Sequence, residues 1–167
     1  MQAFHILDIK PFMQFLFQPG ELDAYNFVSA QIHMDMDYSI NGLLDTSFYT
    51  EDELENFQIK DAVYLPWSLA RDKIFHIIKG KKTPGMMKIV LRLSDSQIKD
   101  MISQNSTFTP NDIDGMYINI IFQHQKLNVI CGISYKIFSL DKSLEDILTQ
   151  KITTLLKSKS ITYENQN

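Results

Sequence analysis

Between Val28 and Asn41 every second residue is apolar: Val28, Ala30, Ile32, Met34, Met36, Tyr38 and Ile40 alternate with Ser29, Gln31, His33, Asp35, Asp37, Ser39 and Asn41. Successive side chains of a strand point to opposite faces. The pattern therefore predicts extended chain with one face in a core and one in water, the habit of antiparallel sheets. The run is longer than a usual strand, so a bend, bulge or turn is expected within it. Two reversals compete. Asn41-Gly42 is a hairpin dipeptide; alternatively the chain turns near Asp35 to Asp37 and passes through Gly42 extended.

Around this feature the chain alternates between the two periodicities. Residues 3–7 read as a short strand, followed by Asp8 as N-cap and Pro11 in the first turn of a helix ending near Pro19-Gly20. Residues 51–55 form an acidic patch in a loop or short helix, and residues 57–64 read as a further strand. Pro66 suits a helix N-terminus. From Trp67, Ala70, Ile74, Ile77 and Ile78 recur at helical spacing until Gly80 closes the helix. After a turn at residues 81–85, Met87, Ile89, Leu91 and Leu93 alternate as a strand. Ser94 with Gln97 makes a capping box for a short helix ending near Gln104, and residues 105–115 are a polar loop. Strands at 116–123 and 127–138 flank His124-Gln125-Lys126 as a hairpin. Leu144, Ile147, Leu148, Ile152, Leu155 and Leu156 stripe one side of a helix over 141–157. Residues 158–167 are polar and expected to fray. The reading is a single α+β domain over residues 1–157, with a mainly antiparallel sheet, helices packed on it, and a recurring strand-helix-strands unit.

A chain of 167 residues with 44% hydrophobic content is large enough to bury a real core. Its formal net charge of −4 argues against a protein that coats nucleic acid. The lone cysteine, Cys131, excludes an internal disulfide framework and a multi-cysteine zinc site, and points to a reducing compartment. It alternates with Val129 and Ile133, which places it toward the core as a small hydrophobe. No run approaches the roughly 18 apolar residues that cross a bilayer. His5, Asp8, Lys10 and Pro11 interrupt the apolar start, which lacks the basic lead of a signal peptide. The expected location is the cytoplasm, with no membrane partner.

Several stretches carry a resemblance. Residues 78–84 (Ile78-Lys79-Gly80-Lys81-Lys82-Thr83-Pro84), 88–94 and 136–145, together with Asp8-Ile9-Lys10-Pro11-Phe12-Met13 and Ile40-Asn41-Gly42-Leu43, resemble a small family of uncharacterised clostridial proteins. The similarity spans nearly the whole chain. It implies a bacterial, Firmicutes, cytoplasmic protein carrying a domain of unknown function, and brings no catalytic or binding residues with it. At the level of architecture, the strand-helix-strands units, with Tyr64-Leu65-Pro66-Trp67-Ser68-Leu69 entering a helix, are similar to one domain of a DNA sliding clamp; no clamp motif accompanies them.

Two groupings of side chains bear on chemistry. His33, Asp35 and Asp37 stand at i, i+2 and i+4 on the exposed face of the long strand, side by side as a strand-borne metal site requires, although polar residues are also what any exposed strand face carries. The other is charge. Seven basic residues lie between Arg71 and Arg92 against Asp72 alone, a local balance of +6 in an acidic chain. Within that segment Lys79, Lys81, Lys82, Lys88 and Arg92 are the candidate binding residues for phosphates of nucleic acid or an acidic partner. Gly80-Lys81-Lys82-Thr83 fails as a phosphate loop, since it ends a helix where such a loop begins one; the lysines meet the negative end of the helix dipole. His5, His76 and His124 are scattered, and no triad is evident. The sequence thus points to a non-enzymatic binding or interaction module without a cofactor. Weak nucleic-acid or phosphate binding, or a metal-dependent enzyme using His33, Asp35 and Asp37, are the alternatives.

Overall fold

The computed structural model describes residues 1–104 and 107–166. The strands are β1 (Gln2–Ile6), β2 (Asn26–His33), β3 (Asp37–Asn41), β4 (Met86–Arg92), β5 (Ile113–Gln123), β6 (Lys126–Tyr135) and β7 (Tyr163–Gln166). They form a seven-stranded, wholly antiparallel sheet in the order β3-β2-β4-β5-β6-β1-β7. The helices are α1 (Ile9–Phe17), α2 (Glu51–Asn56), α3 (Trp67–Ile78), α4 (Asp95–Ser103) and α5 (Ser143–Ser158). The fold is α+β, as the period-two runs predict.

Alternation sorts the side chains. Ala30, Ile32, Met87, Ile89, Leu91, Ile118, Ile120 and Val129 are buried on one face. Against it lie Trp67, Ala70, Ile74 and Ile78 of α3 and Leu144, Leu148, Ile152 and Leu156 of α5, each buried. Full burial of a Leu or Ile side chain is worth about 1.5–3 kcal/mol before entropy is set against it. The intervening residues Gln31, Lys88, Val90, Asn119, Ile121, Asn128 and Ile130 are half-buried or exposed, so the second face meets solvent. Three crossovers organise the sheet: β1 reaches β2 through α1 by stepping over β6, β5 and β4, β3 reaches β4 through α3 by stepping over β2, and β6 reaches β7 through α5 by stepping over β1. The order strand-helix-hairpin does recur, as β1-α1-β2-β3 and β4-α4-β5-β6. The recurrence stops at element order, because β4 lies between β2 and β5 whereas β1 lies outside β6.

The structure decides between the two reversals. Residues 34–36 form the β2–β3 turn, and His33 pairs with Asp37. Gly42 takes no left-handed φ, and a Cβ there would lie 1.9 Å from the carbonyl oxygen of Phe27; glycine serves close approach here, not a turn. The β5–β6 hairpin reverses at His124 and Gln125, whose φ values of 51° and 60° are the left-handed pair that a two-residue hairpin turn needs.

Several expectations are corrected. Residues 57–64 form no strand: Gln58 takes φ 56°, Ile59 N–H turns back to Leu54, and only Tyr64 makes a bridge, to Leu43. Asp8 occupies the N-cap position of α1, and its carbonyl accepts from the Phe12 amide, but its side chain makes no capping bond; Oδ2 accepts instead from the Thr162 amide at 2.7 Å. That contact helps position residues 163–166, expected to fray, as the edge strand β7, paired from Tyr163 to Gln166 against β1; Asn167 lies outside the described residues. Finally, β6 ends at Tyr135, not at 138, and residues 136–142 leave the sheet. Of the loop expected over 105–115, Asn105 and Ser106 lie outside the described residues, and β5 already begins at Ile113.

Candidate functional site

The polar candidates come apart in three dimensions. Asp35 stands in the β2–β3 turn, while His33 and Asp37 hydrogen-bond to each other across it at 2.5 Å. Among the described residues no group of three or more His, Cys, Asp and Glu side chains is arranged to hold a metal ion. Arg92 is committed elsewhere. Its guanidinium donates to Asp95 and to the carbonyls of Leu93 and Asp114, which ties β4 to the start of α4 and to β5. It also lies at the opposite end of β4 from the α3–β4 turn, about 20 Å from Met86. Lys79, Lys81 and Lys82 remain exposed around that turn, and Lys88 projects from the solvent face of β4. Arg71 belongs to the fold, 3.5 Å from Asp23 in a largely buried pair.

A pocket of about 330 Å³ forms where the sheet margin, the chain leaving β3, and α3 converge. Its inner wall is Phe27 and Ile40 of the sheet with Leu65. Ala70, Ile74 and Ile77 of α3 form a second wall, and Leu43, Leu44, Phe48 and Tyr49 form the third. The local sequence explains the space. Ala70 presents only a methyl group, Gly42 none, and the two lie where neighbouring positions of α3 and β2 carry bulky Trp67 and Phe27.

The third wall is held by short-range bonds. Asp45 Oδ1 accepts from the Ser47 amide at 3.0 Å and the Ser47 hydroxyl at 2.6 Å, and these bonds keep its carboxyl below the usual carboxylate range. Thr50 and Glu53 close a capping box at the start of α2. The Leu44 amide donates to Val63 and the Leu65 amide to Gly42, fastening residues 42–44 to 63–65. Edge-to-face contacts run from Phe48 to Tyr49 and from Tyr49 to Phe57, with centroids 5.3 and 6.0 Å apart. The rim is strongly apolar and open: Leu43 is 58% and Phe48 79% exposed. Polar groups at the pocket are few, namely Asn41, whose Oδ1 accepts from the Leu43 amide, Asp45, and the exposed Lys73.

None of the candidate binding or metal residues read from the sequence lines this pocket. Its walls come from residue 27, residues 40–49, residue 65 and residues 70–77, and no periodicity links stretches so far apart. The one local signal is Gly42, a glycine in a strand pattern that is not a turn.

A family model described as a family of unknown function (DUF5721) matches residues 14–164. The chain belongs to that family. The matched stretch runs from the middle of α1 into β7 and contains every residue of the pocket. Neither a curated protein nor a solved structure matches the chain. No helix among the described residues is long and apolar enough to cross a membrane.

Proposed function

We propose that this chain is a non-enzymatic binding module that receives an apolar group in the pocket between α3 and the β3–α2 connection. The observation that carries this reading is the pocket itself: about 330 Å³, walled by aliphatic and aromatic side chains, with a sparse polar rim. Sites of this size and lining bind by excluding water from apolar surface, while a few polar groups set orientation. The rim offers Lys73 as a cation and the amide of Asn41 as a donor. Asp45 holds Ser47 through Oδ1, which accepts from its amide and hydroxyl. An anilinonaphthalene sulfonate dye, apolar with one negative charge, probes the site directly. Its fluorescence rises on binding native protein and falls when Leu43→Asp and Phe48→Asp are combined. Dye binding undiminished by that double change refutes the assignment.

A second reading has its own observation. The lysine-bearing α3–β4 turn and the β5–β6 turn meet around a depression of about 560 Å³ lined by Thr83, Pro84, Gly85, His124 and Gln125, with Lys126 next in sequence. Lys79, Lys81 and Lys82 stand exposed along that turn, just before Thr83 in sequence and outside the lining of the depression, and they support weak, sequence-independent nucleic-acid or phosphate binding. Titration with duplex DNA at low and moderate salt, repeated with Lys81, Lys82 and Lys88 changed to Glu, tests it. Binding that is absent at low salt, or indifferent to the triple change, removes this reading.

A further inference from the structure

We infer that the groove between α4 and α5 binds a small zwitterion of the amino-acid class, its carboxylate received by Lys151 and Tyr25 and its ammonium by Asp100. The groove measures about 760 Å³ and shares no lining residue with the apolar pocket beside α3. Its volume is in the range of small-molecule sites. The lining differs in kind from that of the apolar pocket: amides, hydroxyls and charges stand around a narrow apolar floor of Met101, Ile147 and Leu155.

The observation that points to a ligand is Tyr25. The residue is 2% exposed and lines the groove, yet its hydroxyl has no hydrogen-bond partner among the described residues. A buried phenol ordinarily finds one. Nor is the hydroxyl sealed, as that of Tyr135 is; what surface it keeps meets the groove. Its backbone is fixed on both sides, because the Tyr25 amide donates to the carbonyl of Leu22 and the Tyr25 carbonyl accepts from the Trp67 amide. The ring is therefore aimed by the fold. Burial pushes the phenol up to about 12, so at neutral pH it holds its proton and can donate it to an anion.

Charge selects the ligand. Glu21, at one end of the groove, is engaged by Lys159 at 2.9 Å. Asp100 of α4 and Lys151 of α5 line the same groove from two helices that pack together, and neither forms an ion pair among the described residues. One free charge of each sign matches a molecule that carries both; a plain anion or cation would satisfy one and be repelled by the other. Gln97 adds a donor, since its Oε1 accepts from the Ser94 amide at 2.9 Å and its NH2 group is left to the groove. Lys151, Tyr25 and Gln97 thus suit a carboxylate, and Asp100 an ammonium.

Two-dimensional NMR of the isotope-labelled full chain, titrated with the standard amino acids, tests this. At least one should shift the amides of residues 97–101 and 150–154, with a dissociation constant of about 1 mM or tighter. For that amino acid, acetylating the ammonium or amidating the carboxylate should each weaken binding at least about 10-fold, as should Asp100→Asn and Lys151→Met. Tyr25→Phe separates binding from folding. It deletes a hydroxyl with no partner in the chain, so the melting temperature should not fall while binding weakens about 10-fold; a hydroxyl with only a structural role would do the reverse. The inference is overturned by an absence of shifts with every amino acid, by blocked forms or glucose binding as tightly as the parent amino acid, or by a Tyr25→Phe chain that binds like wild type or melts lower.

Discussion

The indole Nε1 of Trp67 donates a 2.8 Å hydrogen bond to the carbonyl oxygen of Leu16, 51 residues away, with both residues shut off from solvent. Leu16 lies in the last turn of α1, where carbonyls have no partner within the helix. The bond therefore satisfies a group that packing has cut off from water, and it locks the end of α1 to the start of α3. Trp67→Phe keeps an aromatic ring but leaves that carbonyl unpaired and a void behind it. The expected cost is about 2–4 kcal/mol, seen as a lower urea midpoint at unchanged slope.

Gly42→Ala tests the close approach at the pocket margin. The new Cβ would lie 1.9 Å from Phe27 O and 2.7 Å from Phe27 C, backbone atoms that cannot rotate away. Strands β2 and β3 must separate there. A loss of about 3 kcal/mol or more is expected, together with weakened dye binding, because Phe27 lines the pocket. A variant melting within a degree of wild type contradicts this geometry.

At the β5–β6 turn, substitution should improve the protein. His124 and Gln125 both occupy the left-handed region, at a cost of roughly 1–2 kcal/mol each for residues with a Cβ. Gln125→Gly removes that penalty at one position and is expected to stabilise by about 0.5–1 kcal/mol, or roughly 1–4 °C in thermal midpoint.

Burial governs the alkaline limit. It pushes the Cys131 thiol up from 9.0 to about 12 and the Tyr25 phenol up from 10.0 to about 12. Groups whose pKa is raised by folding are released as acids on unfolding, so their contribution is intact below the unfolded pKa and declines above it. The decline starts as pH passes 9.0 for Cys131, steepens past 10.0 with Tyr25, and is complete near 12. Urea midpoints should be flat below that window and fall steadily within it; Cys131→Ala should flatten the first part of the fall. In native protein at pH 8 a disulfide reagent should find the buried thiol silent, and in urea it should find one thiol per chain.

Much of the sheet was legible because its signal is local. The runs Ile89–Leu91 and Ile118–Ile120 alternate on their own, and Ser94 with Gln97 caps α4 as its spacing requires. What escaped was non-local. Tyr163 to Gln166 form a strand through backbone bonds to β1, which leave no mark in a polar edge sequence. Ile59, read as part of a strand, is an isolated buried side chain in a run of turns. Alternation at Ile137 and Phe138 carried the expected β6 past its real end, because period two alone does not say whether a partner strand is still alongside. The pocket was the least legible feature, since its walls meet only after α3 crosses β2.

Loss of the Asp8 contact should act locally. The bond from the Thr162 amide holds the Asp8 carboxyl below the usual carboxylate range. A depressed carboxylate contributes above its unfolded pKa and loses its contribution as pH falls through the folded one. Below about pH 4, or in Asp8→Asn, amide hydrogen exchange should quicken at residues 162–166 while the centre of β5 stays protected.

The place of β1 in the sheet constrains the order in which the chain can be completed during synthesis. Its neighbour β6 lies far downstream, with His5 bonded to Asn128 across 123 residues, and its other neighbour, β7, comes later still. At about 5–20 residues per second the ribosome needs roughly 6–25 s to supply that first partner. Throughout that interval Phe4 and Ile6, both fully buried in the finished protein, have no strand to join. The nascent chain is therefore exposed to off-pathway pairing from its first residues, and the wait ends only when the hairpin of β5 and β6 emerges to capture them.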